Sequence, residues 1–151
     1  MKKWLAVLLM AAMVVAGAFS GNMEAKASGT EEEVSYVNLE NTLIGYAEMQ
    51  TWGVYLMDGY STLNDAGNSR VGVGGITNAA KRCTVSVNTV LERKVNGSWS
   101  RVTSFTETNE NAIHASISQY VSVVSGYYYR VRSMHRASTD SSASYTDALW
   151  M

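Results

Sequence analysis

From Gly59 to Trp150 apolar and polar residues alternate along the chain, and a period of two marks strands that bury one face. Val71 and Val73 alternate with Arg70, Gly72 and Gly74. Cys83, Val85, Val87 and Leu91 alternate with Thr84, Ser86, Asn88 and Glu92. Ile113, Ala115, Ile117, Val121 and Val123 alternate with His114, Ser116, Ser118, Tyr120 and Ser122. No stretch beyond Gly59 carries the three-to-four spacing of a long helix. The punctuation agrees: Asn96-Gly97 is a two-residue hairpin turn, because both residues accept positive φ, and Ser125-Gly126 is a second turn. These signals predict a return strand over 99–106, a polar loop over 107–111 and a strand over 127–135. A second loop over 137–144 and a closing strand over 145–150 follow. Before Gly59 the pattern is mixed. Leu39, Leu43, Ile44 and Ala47 fit a short helical stripe, whereas 46–49 and 52–56 fit strands, and strands are the preferred reading of 36–57. About seven short strands with regularly spaced turns predict an antiparallel all-β domain, a two-sheet sandwich.

The N-terminus has a different logic. Lys2 and Lys3 precede an uncharged apolar run from Trp4 to Phe19, and Ala25-Lys26-Ala27 fits the small-residue pattern that signal peptidase reads. The run is shorter than the roughly 20 apolar residues of a membrane-spanning helix. Residues 1–27 are therefore expected to be a cleaved signal peptide, 28–35 a flexible acidic leader and 36–151 one β-domain, secreted and without a membrane anchor. Removing Lys2, Lys3, Lys26 and Glu24 from the 12 basic and 13 acidic residues leaves a net charge of −3. An acidic chain of this kind has no overall field for nucleic acid or an anionic membrane. Cys83 is the only cysteine and proline is absent. No internal disulfide can form, so stability has to come from packing, and the turns fall to Gly, Asn, Asp and Ser.

Two segments carry a likeness to known proteins. The hairpin Leu91-Glu92-Arg93-Lys94-Val95-Asn96-Gly97-Ser98-Trp99 and the run Gly126-Tyr127-Tyr128-Tyr129-Arg130-Val131-Arg132 resemble the middle and penultimate strands of immunoglobulin-like and fibronectin-type sandwiches. Most of the expected mature chain, including Leu39-Glu40-Asn41-Thr42 and Thr146-Asp147-Ala148-Leu149-Trp150, resembles a family of small exported proteins of Gram-positive bacteria with no assigned function. The resemblance implies an immunoglobulin-like sandwich and an extracellular setting, and carries over no active-site residues.

Few residues point to chemistry. Cys83 lies on the apolar side of its strand, where a thiol acts as a small hydrophobe. His114 and His135 have no Cys, Asp or Glu at metal-ligand spacing, and His114 falls on the polar side of its strand, where a solvent-exposed imidazole is expected. Gly72-Val73-Gly74-Gly75 lacks the Lys-Ser/Thr of a phosphate loop and marks a bulge or a close neighbour. Asp58, Asn64, Asp65 and Asn68 match no calcium-loop spacing. No metal, no cofactor and no catalytic residues are expected.

The remaining signal is a face. If Val131 points inward, alternation sends Tyr129 inward and Tyr128, Arg130 and Arg132 outward. In an immunoglobulin-like order the strand holding Asn88 and Glu92 lies alongside. Tyr128, Arg130, Arg132, Asn88 and Glu92 then form one patch, rich in the residues that anchor interfaces. Trp52, Trp99 and Trp150 fit either core packing or a sugar-stacking platform. The expected function is a non-enzymatic extracellular binding module for a protein or glycan. A secreted effector acting on other cells is the alternative, and a small hydrolase a distant third. Export gives the first test: the protein recovered from culture supernatant is expected to begin at Ser28 by N-terminal sequencing, and a start at Met1 would contradict secretion by cleavage.

Overall fold

The computed structural model describes residues 41–47 and 53–151. The segments expected to be a signal peptide and an acidic leader, and Trp52, lie outside the described residues. Seven strands form one antiparallel hydrogen-bonded sheet: β1 (Thr42–Tyr46), β2 (Leu56–Gly67), β3 (Arg70–Val95), β4 (Ser98–Ser122), β5 (Tyr128–Ala137), β6 (Asp140–Tyr145) and β7 (Leu149–Trp150). The long strand β3 is the spine. One of its edges pairs with β4 over nearly its whole length, while the other serves β2 through its first half and β5 through its second. β6 and β7 pair with β5, and β1 pairs with β2.

Turn chemistry explains the connections. Asn96 and Gly97 have φ of 49° and 82°, which suits the tight β3–β4 hairpin because that turn follows the twist of its strands. Asn68 and Ser69, both at φ 54°, close β2 onto β3 in the same manner. Between Asn78 and Cys83 the register with β4 shifts, and Asn111, at φ 51°, marks the matching irregularity on β4. The strand pair bends there. Segment 107–111, expected to be a loop, is instead strand that continues through this bend. Segment 137–144 also differs from expectation: only Ser138 and Thr139 separate β5 from β6, and Asp140 to Tyr145 are strand.

The bend carries the first half of β3 over its second half. A side chain at Gly75 would run into Thr89 and Ser133, and one at Gly59 into the His135 ring, so these two glycines permit the close approach. The inward residues then sort into three levels. Leu63, Val71, Val73, Leu91, Tyr129 and Val131 form one buried apolar cluster. Ala79, Val85, Val87, Ala115, Ile117 and Ala137 form another. Between them β2, β3, β5 and β6 contribute polar groups: Ser61, Thr77, Thr89, Ser133, His135 and Ser144 are all buried. The inward alternation of β5 shows the sequence of levels, Tyr129 and Val131, then Ser133 and His135, then Ala137.

These polar groups satisfy one another. His135 Nδ1 lies 2.8 Å from Thr77 Oγ1 and Nε2 lies 2.8 Å from Ser144 Oγ. Ser61 Oγ is 2.6 Å from Ser144 Oγ and donates to Ser133 Oγ at 2.8 Å, and Ser133 Oγ is 3.1 Å from Thr89 Oγ1. Thr77 Oγ1 donates to the Ser86 carbonyl and so can accept from Nδ1–H, while the Ser144 hydroxyl can meet Nε2 as donor or acceptor. An imidazolium would add a full positive charge to a buried site with no carboxylate in hydrogen-bond contact, and burial disfavours that charge.

Burial pushes the His135 imidazole down to about 4, against a smaller opposite effect of the Asp58 charge. The unfolded chain's histidine titrates near 6.5, so between pH 6.5 and about 4 the unfolded state binds more protons than the folded one. The fold is therefore expected to hold this contribution in full above pH 6.5 and to lose about 3 kcal/mol of it as the pH falls through that window. Asp140 acts in the same direction at lower pH, since the Tyr55 and Leu56 amides hold its carboxyl below the usual range. Urea unfolding followed from pH 7.5 to 4.5 checks the histidine effect. A midpoint that stays constant over that range would show His135 to be accessible or already charged in the fold.

Candidate functional site

The outward face of β5 and its neighbours holds the most concentrated chemistry on the surface. Val131 is fully buried, so Tyr128, Arg130 and Arg132 point outward, as strand alternation requires. The register of β3 with β5 sets Glu92 opposite Arg130 and Val90 opposite Arg132, while on the other side of β3 Glu92 faces Arg101 of β4. Glu92 is 9 % exposed and engages both arginines: Arg130 Nε donates to Oε2 at 2.7 Å, and Arg132 Nε stands 3.5 Å from Oε1.

Aromatic rings hold this cluster in place. The Arg130 guanidinium lies between two of them, 4.4 Å from the Trp99 ring centre and 5.2 Å from that of Tyr145. Both distances are within reach of the attraction between a cation and a ring face. Tyr128 meets Trp150 of β7 edge to face, with centroids 4.8 Å apart and planes at 63°. Tyr128, Tyr145 and Trp150 stay about half exposed, whereas Trp99 is half-buried.

Arg130 and Arg132 thus have unequal tasks. Arg130 is enclosed by two rings and a short ion pair, so it is structural. Arg132 is the more exposed of the two, makes only the longer contact, and remains open to an outside group. Asn88 shares the face but turns away from the arginines: its Nδ2 donates to Thr106 Oγ1 at 2.7 Å and to the Phe105 carbonyl. The expected patch of five therefore comes together as four, with Asn88 tied to β4.

Trp99, Tyr145 and Trp150 complete the cluster, and sequence reasoning did not place them there. Tyr145 reads as the start of a closing strand over 145–150, whereas it ends β6 and lies opposite Arg132. Trp99 was within reach, since the Asn96-Gly97 turn brings it opposite Lys94, on the Glu92 side of the hairpin. Lys94, Arg101, Arg130, Arg132 and Arg136 share this outward face with Glu92, so a chain of almost balanced charge presents one decidedly basic surface.

The other candidate residues lie elsewhere. His114 is half-buried rather than freely exposed. Its Nδ1 donates to Asn78 Oδ1 at 2.8 Å, and Asn78 Nδ2 donates in turn to Asp58 at 2.6 Å. The contact between His135 and Ser144 has the first two members of a hydrolytic triad, but the imidazole is fully buried and no carboxylate hydrogen-bonds to it. Cys83 is half-buried against the second apolar cluster. Asp58 sits opposite Asn78, whereas Asn64 lies well along β2, opposite Gly72, so these oxygens do not converge. Among the described residues no three His, Cys, Asp or Glu side chains gather where they would hold a metal ion.

The unequal roles of the two arginines are measurable. Arg130→Ala leaves a nearly buried carboxylate with one distant partner and unstacks two rings, so it is expected to cost about 2 kcal/mol in urea unfolding. Arg132→Ala removes the weaker contact and is expected to cost under about 1 kcal/mol. Equal losses would mean that the two arginines share Glu92 evenly. No protein-family model matches the chain and no curated protein matches its sequence, so the reading of this face rests on its own chemistry.

Proposed function

We propose that the chain is an exported, non-enzymatic binding module with an immunoglobulin-like sandwich fold. Its binding face is the outward surface of β5, β7 and the β3–β4 hairpin, and its partner is an acidic surface on an extracellular protein. The observation that carries the reading is the juxtaposition of exposed Tyr128, Tyr145 and Trp150 with the open guanidinium of Arg132. Tyr, Trp and Arg dominate the energetics of protein interfaces because they cover large areas with few rotatable bonds and offer directed donors. Arg132 suits a carboxylate in particular, since its planar fork binds one with two parallel bonds. The basic character of the face on a chain with no excess positive charge selects an acidic partner.

The ring geometry favours a protein over a glycan. A sugar needs a flat row of faces, whereas Tyr128 and Trp150 meet at 63° and Trp99 is turned onto Arg130. Pre-organisation supports the same reading, because Glu92 and the stacked Arg130 fix the centre of the face before any partner arrives.

The test is a pull-down from culture and cell-wall fractions with the full-length gene product as bait, followed by the retained protein's affinity for variants. Tyr128→Ala and Arg132→Ala are each expected to weaken binding about tenfold or more, and added salt to weaken the wild type. Tyr46→Ala, at an exposed tyrosine on β1, is the control and is expected to bind as wild type. Unchanged binding by both folded face variants would return the patch to a plain solvated surface.

A further inference from the structure

The sheet has one long open edge. Among the described residues β4, 25 residues long, pairs only with β3, and no strand of theirs lies along its second edge. The β1 and β6 edges are unlike it, since Gly45 of β1 sits directly against the Tyr145 carbonyl of β6. Natural sheets shield open edges with charge, proline or bulges, because unpaired amides and carbonyls recruit another strand. The first half of β4 follows that rule, with Arg101, Glu107, Glu110 and a bulge opposite Leu91 and Glu92. From residue 111 to 122 the rule lapses: Asn-Ala-Ile-His-Ala-Ser-Ile-Ser-Gln-Tyr-Val-Ser contains no Asp, Glu, Lys, Arg or Pro. Two of its side chains are also exposed and apolar, Ile113 at 39 % and Tyr120 at 71 %.

The backbone orientation of this segment is defined. The Val123 amide donates to the Ser69 carbonyl and the Ile117 carbonyl is turned toward Gly74, so odd-numbered residues spend their backbone groups on β3. Even-numbered residues from His114 to Ser122, where the register with β3 is regular, aim theirs at the free edge. Only the His114 carbonyl has a partner there, the Asn109 side-chain amide at 3.0 Å, and a carbonyl accepts a second bond.

We propose that residues 112–122 of β4 pair antiparallel with the same segment of a second copy of the chain, about a two-fold axis at Ile117. Self-pairing needs a segment that complements itself when reversed, and this one does. The charge-free part of β4 beyond Asn111, the residue at positive φ, runs from Ala112 to the strand end at Ser122, and its midpoint is Ile117, so this register uses all of it. Ile113 then faces Val121 of the other copy, Tyr120 faces His114, and Ser116 faces Ser118. Each exposed apolar side chain gains an apolar or aromatic neighbour, and no like charges meet. Even-numbered residues oppose even-numbered ones, so between His114 and Tyr120 of each copy outward donors meet outward acceptors in about eight hydrogen bonds over ~24 Å. A second copy fits better than an unrelated peptide, which would demand no such internal symmetry.

Light-scattering mass and sedimentation of the protein obtained from full-length expression test the proposal. The wild type is expected to have twice the monomer mass in the micromolar range. Ser118→Pro removes an outward amide while sparing the β3 ladder, and is expected to give a monomer with unchanged circular dichroism. The pair Ser116→Glu with Ser118→Glu sets carboxylates opposite one another in this register and is expected to give a monomer too. Ser116→Lys with Ser118→Glu brings opposite charges together and is expected to restore the dimer. A monomeric wild type, assembly beyond a dimer, or folded Ser118→Pro and double-glutamate variants that still dimerise would each overturn the proposal. A monomeric lysine–glutamate variant would overturn the register centred on Ile117.

Discussion

Burying an imidazole and five hydroxyl groups between two apolar clusters is costly unless each polar group finds a partner inside, and that requirement governs much of this fold. An unpaired polar group in such a place costs about 1–3 kcal/mol, enough for two or three failures to unfold a small domain. The groups come from β2, both halves of β3, β5 and β6, so the network is complete only when every one of these strands is in register. A slip of one residue in any of them would replace hydroxyls by outward residues and leave His135 unsatisfied. In a chain with a single cysteine, a buried polar level gives strand register a specificity that apolar packing alone supplies less sharply.

The same constraint gives the outward face its rigidity. Strand alternation couples the two sides of β5: once Ser133 and His135 are locked inward, Arg132 and Arg130 have a single direction left. Glu92 then has a comparable role outside to that of the hydroxyls inside, since it is almost buried and holds two guanidinium groups in fixed positions. A face built on paired strands with stacked side chains loses little conformational freedom when something binds to it.

How much of this could be read from the sequence follows from where apolar residues sit. β3, the second half of β4, and β5 were legible because Val, Ile, Leu and Tyr mark their inward positions. The Asn96-Gly97 turn was legible because only φ-tolerant residues fit it. β6 was not. Its fully buried residue is Ser144, so a strand whose inner side serves a polar level looks like a loop to any hydrophobic pattern. His135 was more accessible than it seemed, because alternation from Tyr129 and Val131 already points it inward; what was hidden was its set of partners, which lie on strands distant in sequence. The 107–111 segment was misread for a related reason. At an open edge beyond a bend, neither side of the strand is buried, and polarity then says nothing about extension.

The distribution of charge along β4 can be separated from its role in folding. Both halves pair with β3 and both supply inward side chains, so the β3 ladder alone gives no reason for one to be charged and the other neutral. Turn requirements do not explain it, since the chain turns at 96–97 and again near Gly126, beyond either half. Burial does not either, because Ser116, Ser118, Gln119 and Tyr120 are as open to solvent as Thr106, Glu107 and Thr108. Arg101 also belongs to the outward basic face opposite Glu92, but Glu107 and Glu110 have no such setting, and the halves differ in what each would present to another strand. An edge that carries Arg101, Glu107 and Glu110 resists indiscriminate pairing, while a neutral edge that is symmetric in its own register accepts one partner far better than others. The contrast within a single strand therefore bears on the edge of the sheet rather than on the packing of its core.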